Sequence, residues 1–588
     1  MGALADQLTL SKRRLGGRLR QLVTRHRTPV WYDPAYRLPV PMASAQLGIE
    51  TRRADLVIWS LLDLAYVARD AVFQPSKVRY EDVVRVHTPR LVESLFDPVS
   101  LSRIVASDPS ELPLNEVIRT FRLAAGATLE AAQAALKRRG PALNLLGGFH
   151  HAEPDRAGGL CPINDIAIAI ETLRASGFKG DVGVIDLDAH PPDGTAACFE
   201  NDPSVWIGSL SGSDWGPLPG DVDETLLPNR ADDWTYIRAL EGLLKRMPPV
   251  ELTFVIAGGD VLDGDELGRV GMTLNGARKR DRMVYKQVRG QPSVWLPGGG
   301  YHPDSWKVLL GTALVLEGQP RSRLPRGYDP MQARFKTIAQ SLNPTDLEGE
   351  ISITDDDLAD LFGFSPDTLH RLLGFYTPEG IEYSLDHYGI INHLHRLGFS
   401  DIHVELGNEA TGDRMRVVGH SGDEKHTLIE GVLEKQTIQN RGVLYIHWFT
   451  MMNPRAHFDA DKPALPGQEM PGLGLAREAG MLFLFMAKRL NLAGIAYRPA
   501  WYHVAFAGRH ICRFVDPARQ GRFEAMNRDL AGHPLAEVTQ AVADGRVTMN
   551  GETYTWEADF MVHWLDETDD DRRLVRKERK RVIFEMTP

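Results

Sequence analysis

The chain has 588 residues, 43% of them apolar and 25% charged, with a net charge of −11 and a pI near 6.0. That length exceeds what one core holds and gives two or three domains, and the acidic balance supplies no bulk attraction for nucleic acid or an anionic membrane surface. Only three cysteines occur, Cys161, Cys198 and Cys512, which excludes a disulfide framework or a thiolate zinc cluster and points to a reducing, cytoplasmic compartment.

The basic opening, MGALADQLTLSKRRLGGRLRQLVTRHR, has no apolar core segment and is not a secretory signal; its arginines suit a surface helix, with a transit peptide as the alternative. No run reaches the roughly 20 apolar residues that span a bilayer, and GMLFLFMA before Lys488 has the length of a core helix. PVWYDPAYRLPVP reads as a strand followed by proline-rich loops. From about Asp55 to Lys137 apolar residues recur at helical spacing, first in RADLVIWSLLDLAYVARDAV and then in FRLAAGATLEAAQAALKRRG, which Gly140 and Pro141 stop.

Four apolar stretches follow, and each ends in polar or glycine-rich chemistry. ALNLLGGFHHA ends at His150 and His151, VGVIDLDAH at Asp188 and His190, LTFVIAGGD at Asp260, and SVWLPGGGY at Tyr301. Helical segments such as INDIAIAIETLRASG and DDWTYIRALEGLLKRM lie between them, so the expected fold is α/β with a parallel sheet flanked by helices. Ligands bind beyond the C-terminal ends of such strands, which brings all four endings to one rim.

In VGVIDLDAH the strand alternation aims Asp186, Asp188 and His190 to one side. Two carboxylates and an imidazole this close are costly to bury unless a cation sits among them. Asp188, His190 and Asp260 make a three-ligand set with one position left open, as in catalytic zinc sites; ferrous iron or cobalt also suits those donors. His150 and His151 are the proton-transfer candidates, Asp186 and Asp193 the carboxylates that orient them, and Tyr301 a donor to a developing oxyanion.

The blocks GGFHHAEPDRAGGLCPINDIAIAI, VIDLDAHPPDGTAACFENDPSVWIGSL, AGGDVLDGDELGRVGMT and LPGGGYHPDSW resemble, in order, the signature blocks of the zinc-dependent histone deacetylase family. The likeness is greatest to class IV-like and bacterial members and runs over about residues 28 to 320. It implies the arginase/deacetylase fold and one zinc ion on Asp188, His190 and Asp260. His150 and His151 would be the general base and acid pair, Tyr301 the carbonyl-polarising residue, and Asp186 and Asp193 the carboxylates behind the histidines. It further implies a potassium ion that uses Asp186 and Ser209, and an acyl-lysine tunnel walled by Gly159, Leu160 and Trp215, with Leu218 a second candidate for the last wall. Two departures stand out. Pro191 and Pro192 follow the metal-binding histidine where the family has His-Gly, and Leu160 replaces an aromatic tunnel residue. The implied activity is hydrolysis of an N-acyl lysine in a protein or of a small acylated amine; the alternatives are a non-catalytic acyl-ligand binder and a bifunctional protein whose second half handles acyl-CoA. No direct nucleic-acid partner is implied.

The expected domains are a catalytic domain over 1–325, a linker over 326–356 and an α+β domain with an antiparallel sheet over 357–588. In the last, GIEYSLDHYGIINHLHRLGF reads as a helix, followed by strands DIHVEL, RMRVVG, HTLIEGVLEKQTI and GVLYIHWFTMMNP. A helix then opens through GQEMPGLGLA, followed by strand-like AYRPAWYHVAF and RHICRFVDP. This order is weakly similar to GNAT-type acyltransferases. Gly472 and Gly474 fit that family's turn, whereas Glu469 places an acidic residue where a pyrophosphate would lie.

Overall fold

Runs of Val, Ile and Leu too apolar for a half-exposed strand build the centre of the first of two units, Met1–Arg334 and Phe335–Pro588. The computed structural model describes residues 11, 13–17, 28–39, 48–325, 327–348, 371–458, 463–566 and 571–587. Most of the basic opening and part of the expected linker lie outside the described residues.

The first unit holds eight strands: β1 Val30–Trp31, β2 Val72–Phe73, β3 Pro141–Asn144, β4 Val182–Asp186, β5 Val205–Ser211, β6 Val222–Leu226, β7 Leu252–Ile256 and β8 Ser293–Leu296. They form one sheet in the order β2-β1-β3-β8-β7-β4-β5-β6, every neighbouring pair parallel. All residues of β4, β7 and β8 are buried, as strands covered by helices on both faces must be. The long helix Leu114–Arg138 supplies a buried row of small residues that includes Ala124, Ala131 and Ala135. It ends at Arg139 in the left-handed conformation, one residue before the glycine expected to stop it. Register sets Asp186 beside Ile256 on one side and Ser209 on the other, with Ile256 beside Leu296. The C-terminal ends of β3, β4, β7 and β8 therefore open onto a common rim.

The second unit contains β9 Ser400–Glu409, β10 Gly412–Ser421, β11 Glu424–Ile438, β12 Arg441–Met451, β13 Gly494–Tyr497, β14 Arg513–Phe514, β15 Val547–Met549, β16 Glu552–Thr553, β17 Met561–Trp564 and β18 Phe584–Met586. β9 to β12 form an antiparallel meander inside a seven-stranded sheet ordered β14-β17-β13-β12-β11-β10-β9. β13 joins β12 in parallel after the helix Ala476–Arg489, so the sheet is mixed. A separate three-stranded sheet has the order β16-β15-β18.

Three local expectations change. The stretch read as linker carries helices Pro330–Ser341 and Pro344–Glu348, because Phe335, Ile338, Leu342 and Leu347 bury their side chains. Helix Tyr502–Gly508 occupies part of the expected strand AYRPAWYHVAF, its Tyr502 and Ala505 buried at i and i+3. The helix expected over GIEYSLDHYGIINHLHRLGF is two, Pro378–His387 and Ile390–Arg396, divided at Gly389, whose φ of 80° leaves the right-handed region. Among the described residues no helix is long and apolar enough to cross a membrane.

Candidate active site

β4 stops at Asp186, so the strand alternation expected to align Asp186, Asp188 and His190 does not reach the last two. Asp186 turns instead toward β3's loop, where His150 Nδ1 donates to its Oδ2 at 2.8 Å. Residues 187–190 are irregular, and there Asp188 and His190 meet Asp260 from the end of β7.

One donor atom from each of Asp188, His190 and Asp260 lies within 4.8 Å of the others. His190 Nδ1 is 3.1 Å from Asp188 Oδ1 and 3.0 Å from Asp260 Oδ2. Both carboxylates are buried. Backbone donors fix them: Gly299 N–H reaches Asp188 Oδ2 at 2.6 Å, and Ala189 N–H reaches Asp260 Oδ1 at 3.1 Å. Gly299 is required for that approach, since a Cβ there would sit 2.8 Å from Asp260 Oδ2 and 2.9 Å from Asp188 Oδ2.

The electrostatics of this cluster ask for a cation. Burial, and then the neighbouring Asp188, push Asp260 up to about 8. For His190 burial works downward, but hydrogen bonds to Asp188 and Asp260 prevail and push it up to about 11. Two carboxylates this close and this dry share protons unless a metal replaces them. Two carboxylate oxygens and an imidazole nitrogen, in a cradle that glycine alone leaves open, fit a zinc-sized divalent ion.

Around the cluster stand the other candidates. Thr195 N–H and the Asp165 carboxylate hold the His150 loop, the latter accepting from Gly148 N–H and from Phe149 N–H at 2.7 Å. His150 Nε2 lies 3.7 Å from Asp188 Oδ1. Burial would depress His150, but Asp186 and Asp188 outweigh it and raise it to about 9. His151 Nδ1 donates to Asp193 Oδ1 at 2.6 Å, so the two prolines before Asp193 do not prevent that pairing. Burial first, and the adjacent His150 second, push His151 down to about 4. The two imidazoles are 4.0 Å apart, centre to centre. Tyr301 stands 6.4 Å from the His190 ring at nearly a right angle, and burial raises its phenol far above the ordinary value. Ser209 is buried beside Asp186 in register, its hydroxyl 3.0 Å from that of Ser211.

A cavity bordered by His150, His151, Gly159, Leu160, Asp188 and Tyr301 opens at this rim. Gly159 has a φ of 55°, and a Cβ on it would lie 2.5 Å from the His151 ring. Leu160, also left-handed with a φ of 63°, is tied through its N–H to the Ile104 carbonyl. Of the two candidates in GSDWGPLPGD, Trp215 stacks on His151 while Leu218 packs against the core.

Three residues that sequence reasoning passed over support this arrangement. Arg53, half-buried, donates to the carbonyls of Gly298 and Gly299. Asp165 holds the His150 loop as described. Asp265 Oδ1 accepts from Leu267 and Gly268 N–H, an Asx-type turn, while its Oδ2 accepts from Tyr301 N–H at 2.7 Å. The turn was readable from Asp-Glu-Leu-Gly; the partner 36 residues away was not.

Residues 49–314 match the family model described as the histone deacetylase domain. An uncharacterized protein of Picosynechococcus sp. is 33% identical over 301 residues, covering 49% of this chain and 96% of that protein. Histone deacetylase 2 of Arabidopsis thaliana is 30% identical over 276 residues, 44% of this chain and 70% of the relative. Histone deacetylase 8 of Xenopus tropicalis is 29% identical over 307 residues, 47% of this chain and 80% of the relative. Among solved structures, a histone deacetylase homologue complexed with SAHA is 25% identical with a TM-score of 0.41, covering 50% of this chain and 85% of that one. The family match ends at residue 314. Through its first half, the chain belongs to the histone deacetylase family.

Proposed function

We propose that the chain is a zinc-dependent deacylase that hydrolyses an N-acyl lysine in a protein or a small acylated amine. The observation that carries this reading is the convergence of Asp188, His190 and Asp260 with two His–Asp pairs and Tyr301 at one rim. A zinc ion held by the first three residues would supply Lewis-acid polarisation of the amide. His151 is the better general base: it is neutral near pH 7, and Asp193 occupies Nδ1, leaving Nε2 free to accept a proton. His150, whose pKa its partner Asp186 raises, stabilises negative charge beside it and is the proton source for the departing amine. The Tyr301 phenol, kept un-ionised by burial, donates to the oxyanion of the tetrahedral species. A potassium ion near Asp186 and Ser209 would steady the strand end that carries Asp186.

The test is acyl release from acetyl-lysine peptides and acetylated polyamines by zinc-loaded protein. Tyr301→Phe should lose about 10²–10³-fold in kcat while keeping one zinc per chain, the size expected for one oxyanion donor. Full activity in Asp188→Ala, or binding of acyl-lysine peptides and acetylated polyamines without turnover of either by the wild type, sinks the proposal.

A further inference from the structure

In the second unit a cavity runs between the helix Ala476–Arg489 and the meander, with about 840 Å³ of empty space when its open mouth is counted. That space accepts a file of several waters or one narrow chain.

Its long wall is a single helix face. Leu475, Ala479, Leu482, Met486 and Arg489 recur at i, i+4, i+7, i+11 and i+14, a row about 21 Å long at 1.5 Å per residue. Met415, Ile429 and Phe449 of the meander face it. Water held along such walls finds almost no polar partner, so an aliphatic chain is the better occupant.

The polar groups gather around Arg489. Its Nη2 donates to the Ala339 carbonyl at 2.8 Å and the Leu342 carbonyl at 3.4 Å, and among the described residues no carboxylate pairs with it. Tyr376 and Tyr388 line the same cavity. Burial raises both phenols and the positive charge of Arg489 pulls each back, in keeping with three groups that line one cavity. A cation and two phenols at the end of an apolar slot are complementary to an anionic head on an unbranched tail.

We propose that this cavity binds a long-chain fatty carboxylate, its alkyl chain along the helix face and its carboxylate on Arg489 and the phenols of Tyr376 and Tyr388. Equilibrium titration of the full-length chain with sodium palmitate should show saturable binding of one molecule, with affinity rising steadily from octanoate to palmitate. Arg489→Gln should weaken palmitate at least tenfold, and Ala479→Leu, which narrows the slot, should abolish binding; circular-dichroism melting checks that both variants fold. Absence of saturable binding, or affinity independent of chain length in the wild type, overturns the proposal without recourse to a variant. Binding blocked by Ala479→Leu yet unchanged by Arg489→Gln overturns the carboxylate seat.

Discussion

The indole of Trp215 lies against the imidazole of His151, ring centres 5.0 Å apart and planes 27° from parallel, while half of the indole surface remains exposed. The same indole is 5.9 Å from the His190 ring, so it forms a wall beside the candidate metal ligands. Trp215→Ala removes that wall and one face of the desolvation around His151. KM for an acetyl-lysine peptide should rise several-fold, and the acid limb of the pH profile should move upward as His151 regains water. Trp215→Phe, which keeps a stacking face, should restore most of the KM. Unchanged KM and pH profile in Trp215→Ala would place substrate elsewhere.

Asp265 bridges two loops of the rim, with one oxygen on Leu267 and Gly268 of the β7 loop and the other on the backbone of Tyr301. Asp265→Ala leaves these N–H groups without their acceptor, at about 1–3 kcal/mol for those that stay buried. kcat should fall about tenfold or more with little change in zinc content. The loss should largely vanish when the same change is made in Tyr301→Phe, because Asp265 acts through the phenol. An equal loss in both backgrounds would mean that Asp265 only supports the fold.

The two His–Asp pairs differ in burial, which separates their mutants. The Asp186 side chain is fully buried and also accepts from Asp188 N–H, whereas the Asp193 side chain is 26% exposed and serves His151. Asp193→Asn should lower kcat about 10- to 100-fold, as loss of an orienting partner does, with the melting temperature nearly unchanged. Asp186→Asn should lower both, since an amide has one accepting oxygen and would turn its NH2 donor toward either His150 Nδ1–H or Asp188 N–H. Activity assays with parallel melting curves decide whether the pairs divide in this way.

How much of this was legible in the sequence follows from what is local. The runs 182–187, 252–257 and 293–296 announce buried parallel strands, because such strands carry no polar face, and chemistry at their ends is then placed by the sheet. The early end of β4 was not legible, because it depends on loops from β3 and β7, and so Asp186 serves His150 and stands apart from the cluster its spacing suggested. Arg53, Asp165 and Asp265 act on backbone groups distant in sequence, and a charge aimed at a carbonyl or an N–H leaves no local pattern. The helix Pro330–Ser341 was lost among glycines, prolines and arginines that precede it, although Phe335 and Ile338 carry its buried face.

His87 gives a pH dependence independent of catalysis. Its ring sits between two backbone groups, Nδ1 donating to the Glu153 carbonyl at 2.9 Å and Nε2 accepting from Asn164 N–H at 2.9 Å. A second ring proton would set two donors face to face, and burial already pushes the pKa from 6.5 down to about 4. The folded state thus resists a proton that the unfolded chain accepts, so stability is fully present above pH 6.5 and is lost as the pH falls toward 4, below which both states are protonated. At about 1.4 kcal/mol per pH unit the loss is on the order of 3 kcal/mol. His87→Gln keeps one donor and one acceptor without the titration. Its melting temperature should lie below that of the wild type at pH 7, and the gap should narrow steadily on acidification. A gap that stays constant between pH 7 and 4.5 would show that His87 titrates in the folded protein as it does in the unfolded chain.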